Sequence, residues 1–317
     1  MKFACFYLCL LLSFSISAQN LPSLLTGRNI NATFAIVGYD SVAQEWGVAV
    51  ATHNIYVGNS TIYIEAGLGA FAVIAETEPD YGLHGLAQLR TGKSVQEAVE
   101  FTKTKDESSH YRQVAGIDAQ GNTYAFTGEA LKFWRGKSDH QYGQNFVVLG
   151  NQLDEQVLSR MSQTFQSQAG TLAERLLAAL LAGQQAGGQV TGKQSAALMV
   201  KGSQNNWYNQ IDLRVDNSRQ PFQDLQTLLD HHYGRIRLNQ AGYAWRAGNS
   251  ARANQKLKEA EQLLEGWEGM YGRIAQVHAM MGDTEQAAAW IVKALEENPQ
   301  WVVQLPAFYF LKEEKRS

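Results

Sequence analysis

Short apolar runs broken by turn residues fill the chain up to residue 215 and predict a sheet-rich fold. Thr33 to Val50, TFAIVGYDSVAQEWGVAV, reads as two strands around a turn at Asp40-Ser41. Phe34, Ile36 and Gly38 fall on one face, Ala35 and Val37 on the other. Both runs are almost wholly apolar, so this hairpin is expected to be covered on both faces. Further strands are expected over 60–65, 71–75, 114–117, 123–126, 146–149, 195–200 and 211–215. Asp118 to Asn122 is a hairpin turn. Gly67-Leu68-Gly69 is a tight turn rather than a phosphate loop, because it lacks a further glycine and a following helix.

Helical spacing predicts helices over 83–90, 94–104, 155–167, 172–184 and 222–233. Ser94 with Glu97 forms a capping box at the head of the second. Most strands are joined by hairpins, so the sheets should be mainly antiparallel and the class α+β.

The two ends of the chain differ from this middle. Lys2 followed by the apolar run Phe3 to Ile16 and the small residues Ser15, Ser17 and Ala18 predicts a secretory signal peptide over 1–18. The expected location is therefore exported, periplasmic or extracellular. The run is too short for a stable membrane span. Residues 19–31 have no clean period and read as a lead-in or propeptide. Beyond the main domain, 32–233, residues 234–317 turn helical. Ala241, Gly248, Ala253 and Ala260 recur 34 positions later as Ala275, Gly282, Ala287 and Ala294. Small residues let paired helices approach closely and glycine marks the turn between them, so this region resembles tetratricopeptide repeats. A short terminal helix is expected over 301–315, interrupted by Pro306. Two repeats rarely stand alone, so they should dock on the first domain or on a second subunit, as in a homo-oligomer, or recruit a partner protein.

Charge and cysteine content narrow the chemistry. The formal net charge is −3, which argues against a nucleic-acid partner. Cys5 and Cys9 are the only cysteines and both leave with the signal peptide, so cysteine catalysis is excluded in the mature chain. Glu76, Glu78, Asp80 and His84 lie close together but follow no zinc or EF-hand spacing. No metal and no cofactor is expected.

A set of motifs then becomes informative by its order. TFAIVGYD, EWGVAVAT, AGLGAFAV, PDYGLHGLAQLRTGKSVQEAV, RQVAGIDAQGNTYAFTG, LGNQL, LAERLLAALLAGQQAGG, GKQSAALMV and DLRVDN resemble, in that order, the motif series of domain-of-unknown-function family 1028. The likeness runs from Ala32 to about Tyr233. It implies an Ntn-hydrolase-like fold, a four-layer αββα sandwich, and it brings no established substrate. Many members begin directly at the threonine that corresponds to Thr33. Here a cut at Ala32-Thr33 is needed to expose it. Members also often carry a lysine soon after the second strand, near His53-Asn54, whereas no lysine stands between Lys2 and Lys93.

Thr33 is the leading catalytic candidate. At the head of a buried strand a threonine is ordinarily a β-former. After cleavage it would join a hydroxyl nucleophile to a free amine that serves as its base. His53 is the second catalytic candidate, as a base near neutral pH. Arg112 either binds a substrate carboxylate through its planar fork or makes a structural ion pair. Glu76, in the turn after a strand, Gln113, beside Arg112, and Asn151, closing a strand, complete the substrate-binding set. Two functions follow. One is an amide-bond hydrolase acting on a small peptide or acyl amino acid. The other is a non-catalytic Ntn-like scaffold that binds a peptide or cell-wall fragment.

Overall fold

The computed structural model describes residues 32–206 and 209–305. The expected signal peptide and lead-in lie outside the described residues, as does most of the expected terminal helix, which opens as a 3-10 turn, Pro299–Gln304. The chain divides into two compact units, with the break after Leu225.

The first unit is mixed α and β, built on two antiparallel sheets. The strands are β1 (Thr33–Asp40), β2 (Glu45–Thr52), β3 (Ile62–Glu65), β4 (Gly69–Ala75), β5 (Arg112–Asp118), β6 (Thr123–Thr127), β7 (Lys137–Gly143), β8 (Phe146–Leu153), β9 (Ser195–Gly202) and β10 (Ile211–Val215). One sheet has the order β10-β9-β2-β1-β8-β7, the other β3-β4-β5-β6. The opening hairpin therefore supplies the two central strands of the larger sheet. This is why its residues are apolar on both faces, with Phe34 to Val37 fully buried. Asp40 makes its turn by accepting the N–H groups of Val42 and Ala43, each at 2.9 Å.

The two sheets share one core. Ala35, Val37, Val48, Val50, Val147 and Leu149 of the larger sheet pack with Ile62, Ile64, Ala72, Ile74, Ala115 and Ile117 of the smaller. Trp46 adds a polar tie, its indole N–H donating to Asp118 O at 3.1 Å. On the far side of the smaller sheet, Phe71, Val73 and Val114 pack on α1 (Asp80–Arg90) and α2 (Val95–Lys103). The Ser94–Glu97 capping box is present at the head of α2. On the far side of the larger sheet lie α3 (Val157–Ser167) and α4 (Leu172–Gln185). Their approach is close: a Cβ on Gly47 would stand 2.4 Å from Leu176.

Three elements differ from expectation. Helix α1 starts at Asp80 rather than Leu83, because Tyr81 and Gly82 are buried against the sheet. Strand β8 runs through Gly150-Asn151 to Leu153, paired on both sides by β1 and β7. Strand β7, KSDHQYG, had no hydrophobic signature because it is a half-buried edge strand.

In the second unit, α5 (Pro221–Arg246), which starts within the first unit and runs past the expected end at Tyr233, is followed by α6 (Ser250–Leu263), α7 (Tyr271–Met281) and α8 (Thr284–Glu297). Two helix pairs repeat the 34-residue register. Gly248 and Gly282 both take left-handed turns, φ +75° and +85°. The next residues, Asn249 and Asp283, cap the following helices by accepting the N–H of Arg252 and Gln286. The small residues of the repeat, Ala241, Ala253, Ala260, Ala275, Ala287 and Ala294, are all buried. No described helix is long and apolar enough to cross a membrane.

Candidate functional site

One end of the larger sheet is polar where the rest of its inner face is apolar. The register pairs Thr33 with Asn151 on β8 and with Thr52 on β2, and pairs Thr52 with Ser195 on β9. Directly opposed residues share a face, so Asn151, Thr33, Thr52 and Ser195 form a row across four adjacent strands. All four are buried, and Ser195 Oγ has no hydrogen-bond partner among the described residues.

Hydrogen bonds organise this row around the peptide link that precedes Thr33. The Thr33 N–H donates to Asn151 Oδ1 at 3.2 Å. The Ala32 carbonyl accepts three donors: the His53 N–H at 3.1 Å, Thr52 Oγ1 at 3.0 Å, and Gln189 Nε2. The first is an ordinary continuation of the β1–β2 ladder, while the other two are added by side chains. Thr33 Oγ1 and Thr52 Oγ1 lie 2.9 Å apart. A hydroxyl has one proton, and that of Thr52 goes to the Ala32 carbonyl, which can only accept. Thr33 is therefore the donor of the pair, and the two hydroxyls form a relay that ends on the Ala32 oxygen.

Gln189 reaches this point on a glycine-rich loop. Gly187, Gly188 and Gly192 all hold positive φ, a conformation in which an L side chain is strained. Its amide also donates to Ala51 O at 3.1 Å.

Beneath the row, Gln113 links the two sheets. It is fully buried on β5, in the smaller sheet, and its Nε2 reaches Gly150 O at 2.9 Å, Asp139 O at 3.0 Å and Thr127 Oγ1 at 3.1 Å. Its Oε1 accepts Asn151 Nδ2 at 3.1 Å. Thr127 in turn meets His140 Nδ1 at 2.9 Å. Burial pushes His140 below the usual imidazole range in spite of the neighbouring Asp139 carboxylate. A cleft of about 180 Å³ opens beside Thr33 and Thr52, lined also by Asn54, Tyr56, Thr61 and Thr77. Ala75 on its wall holds φ +69°. Left-handed strain in a non-glycine residue costs about 1–3 kcal/mol and clusters at functional sites.

The remaining candidates sit elsewhere. The His53 backbone belongs to the cradle, but its ring lies on the glycine-loop side, where a Cβ on Gly192 would stand 3.7 Å from it. Arg112 is closed on Asp106, Nε to Oδ2 at 2.8 Å and Nη2 to Oδ1 at 3.2 Å, and donates through Nη1 to Glu76 O. Burial pushes Asp106 up, but the hydrogen bonds and charge of Arg112 and the Ser108 N–H outweigh it, and the carboxyl is held below its usual range. That geometry is the structural ion pair, one of the two alternatives for Arg112. Glu76 meets the same group through its backbone, its N–H donating to Tyr111 O at 3.3 Å. The structure thus brings together Thr33, Asn151 and Gln113, with the His53 backbone. It sets Arg112 and Glu76 in a neighbouring network. Among the described residues no cluster of three or more His, Cys, Asp or Glu could hold a metal.

Sequence reasoning missed Thr52, Gln189 and Ser195. Thr52 was findable from the register of the β1–β2 hairpin, whereas Ser195 lies on β9 and only the tertiary pairing of β9 with β2 brings it into the row. Gln189 carried only its glycine neighbours as a signal.

Residues 33–225 match the family of unknown function DUF1028, and the chain belongs to that family. A solved structure, protein SPO2555 from Silicibacter pomeroyi, also described as a DUF1028 member, is similar at 30% identity with a TM-score of 0.57. The likeness covers 62% of this chain and 84% of that one. No curated protein matches the chain.

Proposed function

We propose that this protein is an exported threonine-nucleophile amidohydrolase, activated when the Ala32-Thr33 bond is cut. The observation that carries this reading is the convergence of three donors on the Ala32 carbonyl, one of them the Thr52 hydroxyl that itself accepts from Thr33 Oγ1. A carbonyl has two lone pairs, and an ordinary strand carbonyl takes one ladder bond. Extra donors at this oxygen are what a developing oxyanion requires. After cleavage the new α-amine titrates near pH 8 and accepts the Thr33 proton at neutral pH, which an acylated nitrogen cannot do. Asn151 Oδ1, now on the Thr33 N–H, would orient that amine. Gln113 would fix Asn151. The cleft beside Thr33 suits a small substrate, a short peptide or an acyl amino acid.

The two sheets, with helices against both outer faces, support reading the first unit as an Ntn-type αββα sandwich. The paired helices in 34-residue register support reading the second as tetratricopeptide-like. Export rests on the leader pattern of residues 1–18.

The test compares a chain beginning at Thr33 with one beginning at Gln19 on a panel of short peptides and acyl amino acids. The Thr33 form should hydrolyse at least one, and Thr33→Ala should abolish this while Thr33→Ser retains part. Equal hydrolysis by Thr33→Ala removes Thr33 from the mechanism. A second reading, the binding scaffold, is favoured by the ladder bond from His53 to Ala32, which ties the uncut chain into the sheet. No hydrolysis by any form, with an intact mass showing the bond uncut, selects it.

A further inference from the structure

The cleft beside Thr33 carries a chemical preference that amide hydrolysis alone does not require. Most of the residues that line it bear a hydroxyl or a carboxamide, and the rest are Val57, Ile74 and Ala75. Among the described residues none that lines it is charged. Ligand pockets are ordinarily walled by apolar side chains with a few polar groups, and here the proportion is reversed.

The polar groups have hydrogen-bonding capacity to spare. The side chains of Tyr56, Asn59, Ser60 and Thr77 make no hydrogen bond among the described residues. Asn54 uses only its Oδ1, which accepts the Ile55 N–H at 2.8 Å. Hydroxyl and carboxamide groups both donate and accept. Arg112 stands opposite Ala75 in the β4–β5 register, but its guanidinium is closed on Asp106 and the Glu76 carbonyl. The residues on either side of Thr77 are acidic, Glu76 and Glu78.

We propose that this cleft selects the acyl part of the substrate, taking an uncharged, hydrogen-bonding side chain such as that of glutamine and rejecting the carboxylate of glutamate. A carboxylate moved from water to a site without a cation is left uncompensated. A carboxamide exchanges its water for the hydroxyl and amide groups of the walls. The placement rests on the reading of Thr33 as the nucleophile. In that step Thr33 Oγ1 bonds to the substrate carbonyl carbon and the carbon–nitrogen bond breaks. The hydroxyl proton passes through the α-amine to the leaving nitrogen. The acyl part is the part joined to Thr33, so it is the part that meets these walls. The cleft, about 180 Å³, is smaller than the about 300–1,000 Å³ common for ligand pockets and has room for one side chain.

The experiment has a binding arm and a turnover arm. The first titrates the N-acetyl amides of glutamine, glutamate, lysine and leucine into the chain from Gln19 and the chain from Thr33, followed by ligand-observed NMR. The glutamine probe should bind about tenfold more tightly than the other three. Thr77→Val and Ser60→Ala, with unchanged melting curves, should each weaken it about three- to tenfold, the loss of one neutral hydrogen bond. Asn59→Lys should turn the preference toward the glutamate probe. The second arm follows the matching N-acetyl p-nitroanilides with the chain from Thr33. Turnover that is lost in Thr33→Ala but equal for glutamine and glutamate removes the cleft inference and leaves the nucleophile reading standing. Selective glutamine binding with no turnover by any form supports the cleft chemistry and removes the nucleophile reading, and the acyl placement with it. The inference is overturned if no probe saturates, or if the glutamate, lysine or leucine probe binds as tightly as the glutamine probe. It is equally overturned if the Thr77→Val/Ser60→Ala double variant binds the glutamine probe as well as wild type.

Discussion

Asn151 and Gln113 are joined side chain to side chain across the two sheets, Nδ2 donating to Oε1 at 3.1 Å, and Asn151 Oδ1 accepts the Thr33 N–H. The Asn151 side chain that holds the Thr33 N–H is therefore braced from the opposite sheet. Gln113→Leu would strand the Gly150 and Asp139 carbonyls and the Asn151 amide in a buried site. Each buried unsatisfied group costs about 1–3 kcal/mol, and a loss of about 3 kcal/mol is expected in urea denaturation. An unchanged midpoint would show that the link is not structural.

Arg112 and Asp106 should govern the acid limb of stability. The Asp106 carboxyl is held below its usual range in the folded state, so its contribution is complete above the unfolded value near pH 4. That contribution is lost as pH falls through the lower, folded value. Arg112→Met should cost about 2–4 kcal/mol at neutral pH, because it leaves Asp106, 12% exposed, without its partner. The deficit relative to wild type should shrink as pH falls below the unfolded value and Asp106 protonates. A deficit that is constant with pH would show that packing, not charge, is what Arg112 supplies.

Phe71 is clasped between Gly85 on α1 and Gly116 on β5. A Cβ on Gly116 would stand 2.4 Å from the Phe71 ring and 2.7 Å from Val95. Gly116→Ala is expected to destabilise by about 1–3 kcal/mol through overpacking, read as a lowered Tm. A melting curve like that of wild type would mean the ring has room to move.

The helical repeat makes a matched pair of predictions. Gly248→Ala and Gly282→Ala each force a side chain into the left-handed region at equivalent turns. Each should cost about 1 kcal/mol, and the two costs should agree. Thermal denaturation of both variants checks this; a large difference between them would break the equivalence of the two turns.

Much of the architecture was legible in local pattern. The central hairpin announced itself because a strand covered on both faces must be apolar throughout, and Phe34 to Val37 and Val48 to Ala51 are. The capping box at Ser94 and the 34-residue alanine and glycine register were equally readable, since caps and close helix contacts demand particular residue types at fixed spacing. Strand β7 was not, because an edge strand needs no hydrophobic face and its hydrogen bonds come from β8.

The candidate site divides in the same way. Sequence alone determined that Thr33 heads a buried strand and that Gln113 and Asn151 stand beside strand ends, because these are properties of single segments. Only the tertiary structure decided that Asn151 and Gln189, which lie 118 and 156 positions from Thr33 in the chain, join Thr33 and its hairpin neighbour Thr52 at one peptide link. It also decided that Arg112 is closed on Asp106 and that the His53 ring lies beside Gly192. Hydrogen-bond partners across strands are set by register and by which sheet lies above which, and neither is written in the pattern of any one strand.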